Sequence, residues 1–588
     1  MNIIGISGNP DIHSWAGFAS HQFSKPEAAT AMADRTSPIP LTTGRFEDVF
    51  PTLTPAQLGR IATHGHARPT QPSDVLIEQG DSNVPFFAVI SGELESVRPS
   101  ATGDTLVAVS GPGQFMGEVN TVSGRSTMFR VRVSKPGEVI ELDHQQLLAL
   151  VQTDEELGEI LMRAFLLRRA GLVAAGVGDV VLIGSTHSAE TLKLKEFLMR
   201  NAHPYSYIDL ERDPDVEKML SGFHVAASDI PVVICRGQNV LRNPTNQRLA
   251  ECLGFNITVD QTRARDLVII GAGPAGLAAA VYAASEGLDV LVLETTSPGG
   301  QAGASSRIEN YLGFPTGISG QELAARALNQ AEKFGAQILT ATGTRLACDA
   351  RMHTVDVDNG ARIQARSVVI ATGVEYRKLA LANLSRFEGA GIYYGATFVE
   401  AQLCAGDEVI VVGGGNAAGQ AAIFLAQTTK RVYLVVRSGG LAETMSRYLS
   451  RRIEETPSIA LTTFTEIVAL EGQDHLESVR WRNNQTDVVE DRAIRHVFLM
   501  MGGVPNTGWL EHCVVLDAKG YIKTGSEISP EDLSSARWPL TRPPFLLETS
   551  LPGVLAVGDV RGGSVKRVAS AVGEGSIAIS FIHRILQE

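Results

Sequence analysis

The period of hydrophobic and polar positions changes three times along the chain. Residues 1–44 mix Ser, Thr, Pro, Ala and His without a sustained period, which predicts a loosely docked extension. From residue 45 short alternating runs take over, at Asp74–Glu78, Pro85–Ile90 and Leu106–Val109, broken by Gly80-Asp81, Ser91-Gly92 and Gly111-Pro112-Gly113. Short strands separated by turn residues in this way predict a small β-barrel or jelly roll. A helix is expected from Asp154 to about Ala174, where Leu157, Ile160, Leu161, Phe165 and Leu166 recur at helical intervals. Between Asp179 and Val259 the order becomes strand Val180–Ile183, helix Ala189–Asn201, strand Tyr205–Leu210, helix Val216–Leu220 and strand Pro231–Cys235, a compact α/β unit. The remainder reads as a larger α/β region with two Gly-rich strand-to-helix turns.

The first turn joins a buried strand, Asp266–Ile270, to a helix over Leu277–Glu286 and then a strand, Asp289–Glu294. Its sequence is Gly271-Ala272-Gly273-Pro274-Ala275-Gly276. In such a turn Gly271 permits the sharp reversal, Gly273 lets the backbone approach a pyrophosphate, and Gly276 lets helix and strand pack closely. The helix N-terminus adds free N–H groups and a positive dipole end. Glu294 stands where a carboxylate accepts from the adenosine ribose hydroxyls.

The second turn follows Val409–Val412 as Gly413-Gly414-Gly415-Asn416-Ala417-Ala418-Gly419 and leads into a helix through Ala426. The next strand, Arg431–Val436, ends at Arg437, where an NAD-preferring site presents an acid. A cation there suits the 2′-phosphate of NADPH, so NADPH is preferred over NADH. Two such turns predict one domain inserted in another, the first resuming at Val554–Val557 with Gly558 and Asp559 behind it.

The 588 residues exceed what one core sustains, and 44% hydrophobic with 20% charged residues is an ordinary globular balance. A net charge of −13 argues against a general nucleic-acid binder. No apolar stretch reaches the length of a membrane span, and the N-terminus lacks the basic and apolar regions of a secretory signal. A cytoplasmic location is expected. The five cysteines, Cys235, Cys252, Cys348, Cys404 and Cys513, form no C-x-x-C pair and read as unrelated buried thiols, which leaves no local zinc cluster.

The residues around the two turns resemble thioredoxin reductases of the low-molecular-weight type. Gly299-Gly300-Gln301 with Ile308-Glu309-Asn310-Tyr311 is similar to that family's flavin-contacting loop. Ala371-Thr372-Gly373 matches its second FAD-domain signature, and Thr549 through Asp559 its C-terminal one. Lys566-Arg567-Val568-Ala569 stands at its segment against the flavin ring. The resemblance implies FAD held by Gly271, Gly273, Pro274, Ala275, Gly276, Glu294, Gly300, Gln301, Asn310, Ala371, Thr372, Gly373, Gly558, Asp559, Arg567, Val568 and Ala569. It implies NADPH held by Gly413, Gly415, Asn416, Ala417, Ala418 and Arg437, and a homodimer. The family's C-x-x-C redox pair does not survive. In the matching stretch, Tyr394-Gly395-Ala396-Thr397-Phe398-Val399, its two positions are Gly395 and Phe398.

Two further resemblances lie upstream. Phe115-Met116-Gly117-Glu118 and Arg125-Ser126-Thr127 look like the ligand segment of a cyclic-nucleotide-binding domain, with Gly117 and Glu118 for the ribose and Arg125 and Ser126 for the cyclic phosphate. The interval from Glu118 to Arg125 is shorter than that family's. Residues 176–262 resemble a glutaredoxin- or thioredoxin-like domain whose active-site turn would be Ser185-Thr186-His187-Ser188, without cysteine, and whose cis-proline would be Pro231.

The expected architecture is a multidomain chain with an extension (1–44), a cyclic-nucleotide-binding-like β-barrel or jelly roll with a C-terminal helix (45–175), a central α/β thioredoxin-like domain (176–262) and a C-terminal α/β flavoprotein of two dinucleotide-binding domains. In the last, 263–380 and 500–588 form the FAD domain and 381–499 the NAD(P)H domain. The expected activity is NAD(P)H oxidation through FAD, with electrons passing directly to a ferredoxin-like or thioredoxin-like protein, a quinone or a small molecule. The alternatives are a sensor or scaffold with little turnover and a disulfide reductase using other cysteines.

Overall fold

In the computed structural model, the described residues are 46–99, 103–185, 188–210, 229–236, 239–256, 263–347, 352–442, 445–473, 475–510 and 513–588. The expected extension 1–44, the expected helix Val216–Leu220, and Thr186 and His187 of the cysteine-free turn lie outside them.

The N-terminal sheet has five antiparallel strands. His66–Thr70, Arg130–Leu142, Phe86–Arg98 and Thr105–Ser110 follow one another, and Val75–Ile77 pairs with Arg130–Leu142. One expectation fails here: the strand from Phe86 does not stop at Ser91-Gly92. It runs through to Arg98, absorbing the break in register shifts around Ser91 while Gly92 takes φ +85°. Such bulges keep pairing alive across a residue pair that reads as a turn. Behind the sheet, Asp154 caps the helix Glu155–Ala175 by accepting from the Leu157 amide. That helix delivers Phe165 edge-on to Phe115, with ring centroids 5.9 Å apart.

The central unit is a four-stranded sheet in the order Tyr205–Asp209, Val180–Gly184, Val232–Cys235, Asn239–Arg242, parallel at the first pair and antiparallel thereafter. Helices Ala189–Arg200 and Asn246–Leu253 accompany it, capped by Ser188 and Thr245. Ile230–Pro231 is cis, as its sequence position suggests.

The C-terminal half carries two further parallel-cored sheets. Gln337–Thr340, Val290–Glu294, Arg265–Ile270, Arg362–Ile370, His353–Val357 and Gly343–Ala347 form the larger, with Val554–Ala556 pairing beside Arg362–Ile370. The smaller runs Ile392–Tyr393, His496–Leu499, Glu408–Val412, Arg431–Val435, Ile459–Thr462. The chain therefore leaves the first domain, builds the second and returns. The returning helix Val568–Gln587 lies on Pro274–Ser285 so closely that a Cβ on Gly575 would stand 2.2 Å from the Ala275 carbonyl oxygen. Among the described residues no helix is long and apolar enough to cross a membrane.

Candidate cofactor and acceptor sites

The first Gly-rich turn has the shape its sequence implies. Gly271 takes φ +101°, and a Cβ there would meet the Ala371 carbonyl oxygen at 2.4 Å. A Cβ on Gly276 would stand 1.9 Å from the Gly271 oxygen. Gly273 behaves differently: its Cβ would touch nothing nearer than the Gly300 Cα at 3.9 Å, and it is the N-cap of Pro274–Ser285. Two glycines are thus demanded by the fold, while the third opens the approach to a helix N-terminus, which fits a pyrophosphate.

Glu294 does more than its expected duty. Its Oε2 accepts from the Ala272 amide at 2.7 Å, and its Oε1 from the amides of Thr296 and Ser297 at 2.9 and 3.1 Å. The buried carboxylate holds the turn in place, and Oε2 keeps a second lone pair for a ribose hydroxyl. Across the cleft, Gln301 Nε2 donates to the Val374 carbonyl at 2.5 Å, and Thr372 Oγ1 to the Asn506 carbonyl at 2.9 Å. Asn310 is exposed on its loop. The Gly558 amide donates to Glu574 at 2.7 Å. Burial raises the Asp559 carboxyl, opposed by the nearby Lys566 ammonium, whose Nζ donates to the Asp559 carbonyl at 2.7 Å. Arg567 is the exposed N-cap of the last helix, with Val568 and Ala569 in its first turn.

The second turn repeats the plan. Gly413, at φ +141°, would bring a Cβ to 2.3 Å from the Met500 carbonyl oxygen, whereas a Cβ on Gly415 would meet nothing within 4 Å. Gly415 caps the helix Asn416–Leu425, in which Ala417 and Ala418 form the first turn. Asn416 Oδ1 is already engaged by the Ser446 amide at 2.8 Å. That bond brings exposed Arg447 beside the turn, a cation the sequence reading passed over because it lies a whole loop away. Arg437 is exposed just beyond its strand.

Position 395 sits where the two domains meet. Gly395 lies against the flavin-side loop, where a Cβ would be 3.8 Å from that of Ala304. Phe398 begins the short helix Phe398–Leu403. Behind it, the Glu400 carboxylate accepts from the Thr397 amide at 2.8 Å and from the Thr397 hydroxyl. Burial pushes the Glu400 carboxyl up. Cys404 is fully buried, and burial raises its thiol to about 12, which makes it a poor nucleophile.

The central unit's helix Ala189–Arg200 lies across this junction. At its start Ala189 packs under Gly389, and Leu192 joins the apolar core of the NAD(P)H-side sheet. At its end Arg200 donates to the carbonyls of Ser297 and Gly300 at 3.3 and 2.7 Å, while Gln321 Nε2 donates to the Met199 carbonyl at 2.7 Å. Between these ends Glu196 is within electrostatic range of Glu400 and of Tyr376. A second bridge, Arg452 to Glu309 at 3.0 Å, ties the same two domains. Neither bridge is visible in sequence.

The cyclic-nucleotide residues are arranged less openly. Glu118 pairs with Arg169 of the helix Glu155–Ala175 at 2.9 Å. Arg125 pairs with Glu332 of the FAD-side helix Gly320–Lys333 at 3.2 Å and stacks over Phe255 at 5.0 Å. Arg125 and Glu332 are both buried, and they line a cavity of about 530 Å3 with Asn83, His144 and Phe255. Gly117 takes φ +130°, and Ser126 Oγ is hydrogen-bonded to Ser82 Oγ at 2.9 Å.

The cysteines depart from the expectation of unrelated thiols. Cys513 is disulfide-bonded. Cys235 and Cys252, on separate elements, pack in one apolar core. Pairing of this kind depends on tertiary contact, so local spacing could not show it.

Two Gly turns capping paired helices, with one domain threaded through the other, define a two-dinucleotide flavoprotein. The model of the pyridine nucleotide-disulphide oxidoreductase family matches residues 265–575, and that of the cyclic nucleotide-binding domain residues 67–154. The thioredoxin reductase of Treponema pallidum is 34% identical over 313 residues, 53% of this chain and 94% of that protein. The thioredoxin reductase of Streptomyces coelicolor is 30% identical over 315 residues, 53% and 91% of the two chains. The crystal structure of Lactococcus lactis thioredoxin reductase aligns at a TM-score of 0.49 and 26% identity, over 55% of this chain and 98% of that one. The chain belongs to the pyridine nucleotide-disulphide oxidoreductase family: it is a thioredoxin reductase-like, FAD-dependent NAD(P)H oxidoreductase with a cyclic-nucleotide-binding domain ahead of it.

Proposed function

We propose that this protein oxidises NADPH through FAD and hands the electrons from the flavin directly to its acceptor, with no dithiol between. The observation that carries this reading is Gly395 beside Ala304 of the flavin-side loop: that redox position of the family faces the loop, and neither it nor the other, Phe398 on the following helix, holds sulfur. When bound, FAD supplies the hydride-accepting and electron-donating chemistry. The chain's own work is placement. Gly273 and Gly415 admit the two pyrophosphates to helix N-termini, Arg437 with Arg447 offers positive charge to the 2′-phosphate, and Gln301 and Asp559 line the flavin side.

The remaining domains support control of that acceptor face. The central domain, read as thioredoxin-like, lays Ala189–Arg200 across both nucleotide domains and over the stretch around Gly395 and Glu400. A protein acceptor reaching that face has to displace it, whereas a quinone or other small acceptor does not. The cyclic-nucleotide-binding domain touches the FAD-side domain through Arg125 and Glu332, so a cyclic phosphate that claimed Arg125 would free Glu332. A cyclic nucleotide is accordingly proposed as a regulator, and a cytoplasmic homodimer fits the same reading.

Anaerobic NADPH added to the purified yellow protein should bleach the flavin band, and a quinone should restore it over repeated turnovers. Turnover no faster than the slow leak to oxygen would instead favour a sensor or scaffold. Calorimetric titration with cyclic AMP and cyclic GMP tests the N-terminal domain, and absence of heat at millimolar ligand would retire that part.

A further inference from the structure

Arg200 ends the helix Ala189–Arg200 of the central domain, yet its guanidinium engages the flavin side. Nη2 donates to the Gly300 carbonyl at 2.7 Å and to the Ser297 carbonyl at 3.3 Å. Nη1 donates to Glu196 Oε1, one turn back on the same helix, at 3.2 Å, which fixes the direction of the side chain. The side chain is only 14% exposed, and Nε is buried without a hydrogen bond among the described residues. A planar, permanently charged fork of donors placed this way binds two carbonyls with more strength and direction than a neutral donor could.

The segment it grips is held from the opposite side as well. Glu294 accepts from the amides of Thr296 and Ser297, at 2.9 and 3.1 Å, and the Gly299 amide donates to the Ala272 carbonyl at 2.7 Å. The amides of Ser297–Gly300 are thus engaged from within the FAD-side domain, and its carbonyls by a residue of another domain. The end of the segment presses on the first Gly-rich turn: a Cβ on Gly300 would stand 3.1 Å from the Gly273 Cα. Gly273 is the glycine that opens the approach to the helix Pro274–Ser285. The width of that opening depends on where Ser297–Gly300 lies, and Arg200 is one of the groups that set it.

We propose that the central domain is a working part of the flavin site: Arg200 is a positioning residue that holds Ser297–Gly300 over the first Gly-rich turn, and lifting its helix off the acceptor face loosens FAD. The coupling follows from rigidity. The helix has 12 residues and so spans about 18 Å. Ala189 and Leu192 anchor its start on the NAD(P)H-side domain, while Met199 and Arg200 anchor its end on the FAD-side domain. A partner that displaces the start swings the end away from Gly300. The inference rests on FAD at the first turn and is independent of which acceptor takes the electrons.

The test measures flavin affinity rather than turnover. Full-length protein is stripped of flavin and titrated with FAD, and the change in flavin fluorescence is followed. Arg200→Ala should bind FAD at least about tenfold more weakly, the scale of losing a charge-assisted hydrogen bond. Arg200→Lys keeps the charge without the two-carbonyl fork and should fall between. Leu192→Asp, with Arg200 intact, should weaken FAD through the helix. Denaturant midpoints with and without FAD separate positioning from general loosening: the loss in Arg200→Ala should appear mainly in the flavin-loaded protein. The proposal is overturned if Arg200→Ala or Leu192→Asp holds FAD as tightly as the native protein, or if flavin-free Arg200→Ala loses as much stability as the loaded form. Native protein that takes up no FAD would overturn the flavin reading along with it.

Discussion

The flavin turn and the cyclic-nucleotide segment were both legible as ligand sites, yet the structure treats them in opposite ways. At residues 271–276 the glycines that the fold needs are tightly packed, and the one that a ligand needs faces open space. At 117–126 the charged residues that a ligand needs already hold partners from the chain, Glu118 with Arg169 and Arg125 with Glu332. A backbone site is preserved by what it leaves empty. A side-chain site can be reassigned without changing a residue, because a buried charge accepts whichever counter-charge the assembly offers.

Four experiments break or sharpen that contrast, taken from the largest effect down. Gly276→Val should abolish flavin retention, because the backbone at 1.9 Å cannot yield to a side chain; the flavin-to-protein absorbance ratio measures it. Retained yellow colour would show that the turn tolerates repacking and that its glycines say little. Arg125→Ala should cost about 3–5 kcal/mol, the typical penalty for stranding a buried charge, here Glu332. Denaturant unfolding measures this, and the double variant with Glu332→Gln should recover most of it. A loss below about 1 kcal/mol would mean that the pair is not a structural tie.

The third experiment is acid titration of stability. Burial lowers the His353 imidazole to about 4 from an ordinary 6.5. A depressed folded-state value means that the unfolded chain takes up the proton first, so stability is full above about 6.5 and falls as the pH drops towards 4. That shift is worth about 3 kcal/mol. His353→Gln should flatten this window in the flavin module; an unchanged pH profile would place the sensitivity elsewhere. Smallest is Arg437→Ala, expected to raise the KM for NADPH by about tenfold, about 1.4 kcal/mol, and to leave that for NADH nearly unchanged.

How much was readable follows from the range of each interaction. Gly271, Gly276 and Glu294 act within one strand-turn-helix unit, so spacing alone located them. The break at Ser91-Gly92 misled because a bulge and a turn use the same residues, and only pairing with Arg130–Leu142 tells them apart. Arg125 with Glu332, Arg452 with Glu309 and Arg200 over Gly300 join separate elements in different domains. No local period encodes them. The Gly395 and Phe398 replacements were visible at once, yet the position of Gly395 against the flavin-side loop needed the fold.

The central claim is that electrons leave the flavin without passing through cysteine. Its most direct test compares NADPH oxidation by the native protein and by one with Cys235, Cys252 and Cys404 all changed to serine, each supplied with a quinone and with an aromatic disulfide. The account predicts equal quinone turnover by both proteins and no disulfide reduction by either beyond the rate of free flavin. Rapid disulfide reduction by the native protein, lost in the serine variant while its flavin remains bound and reducible, would contradict it.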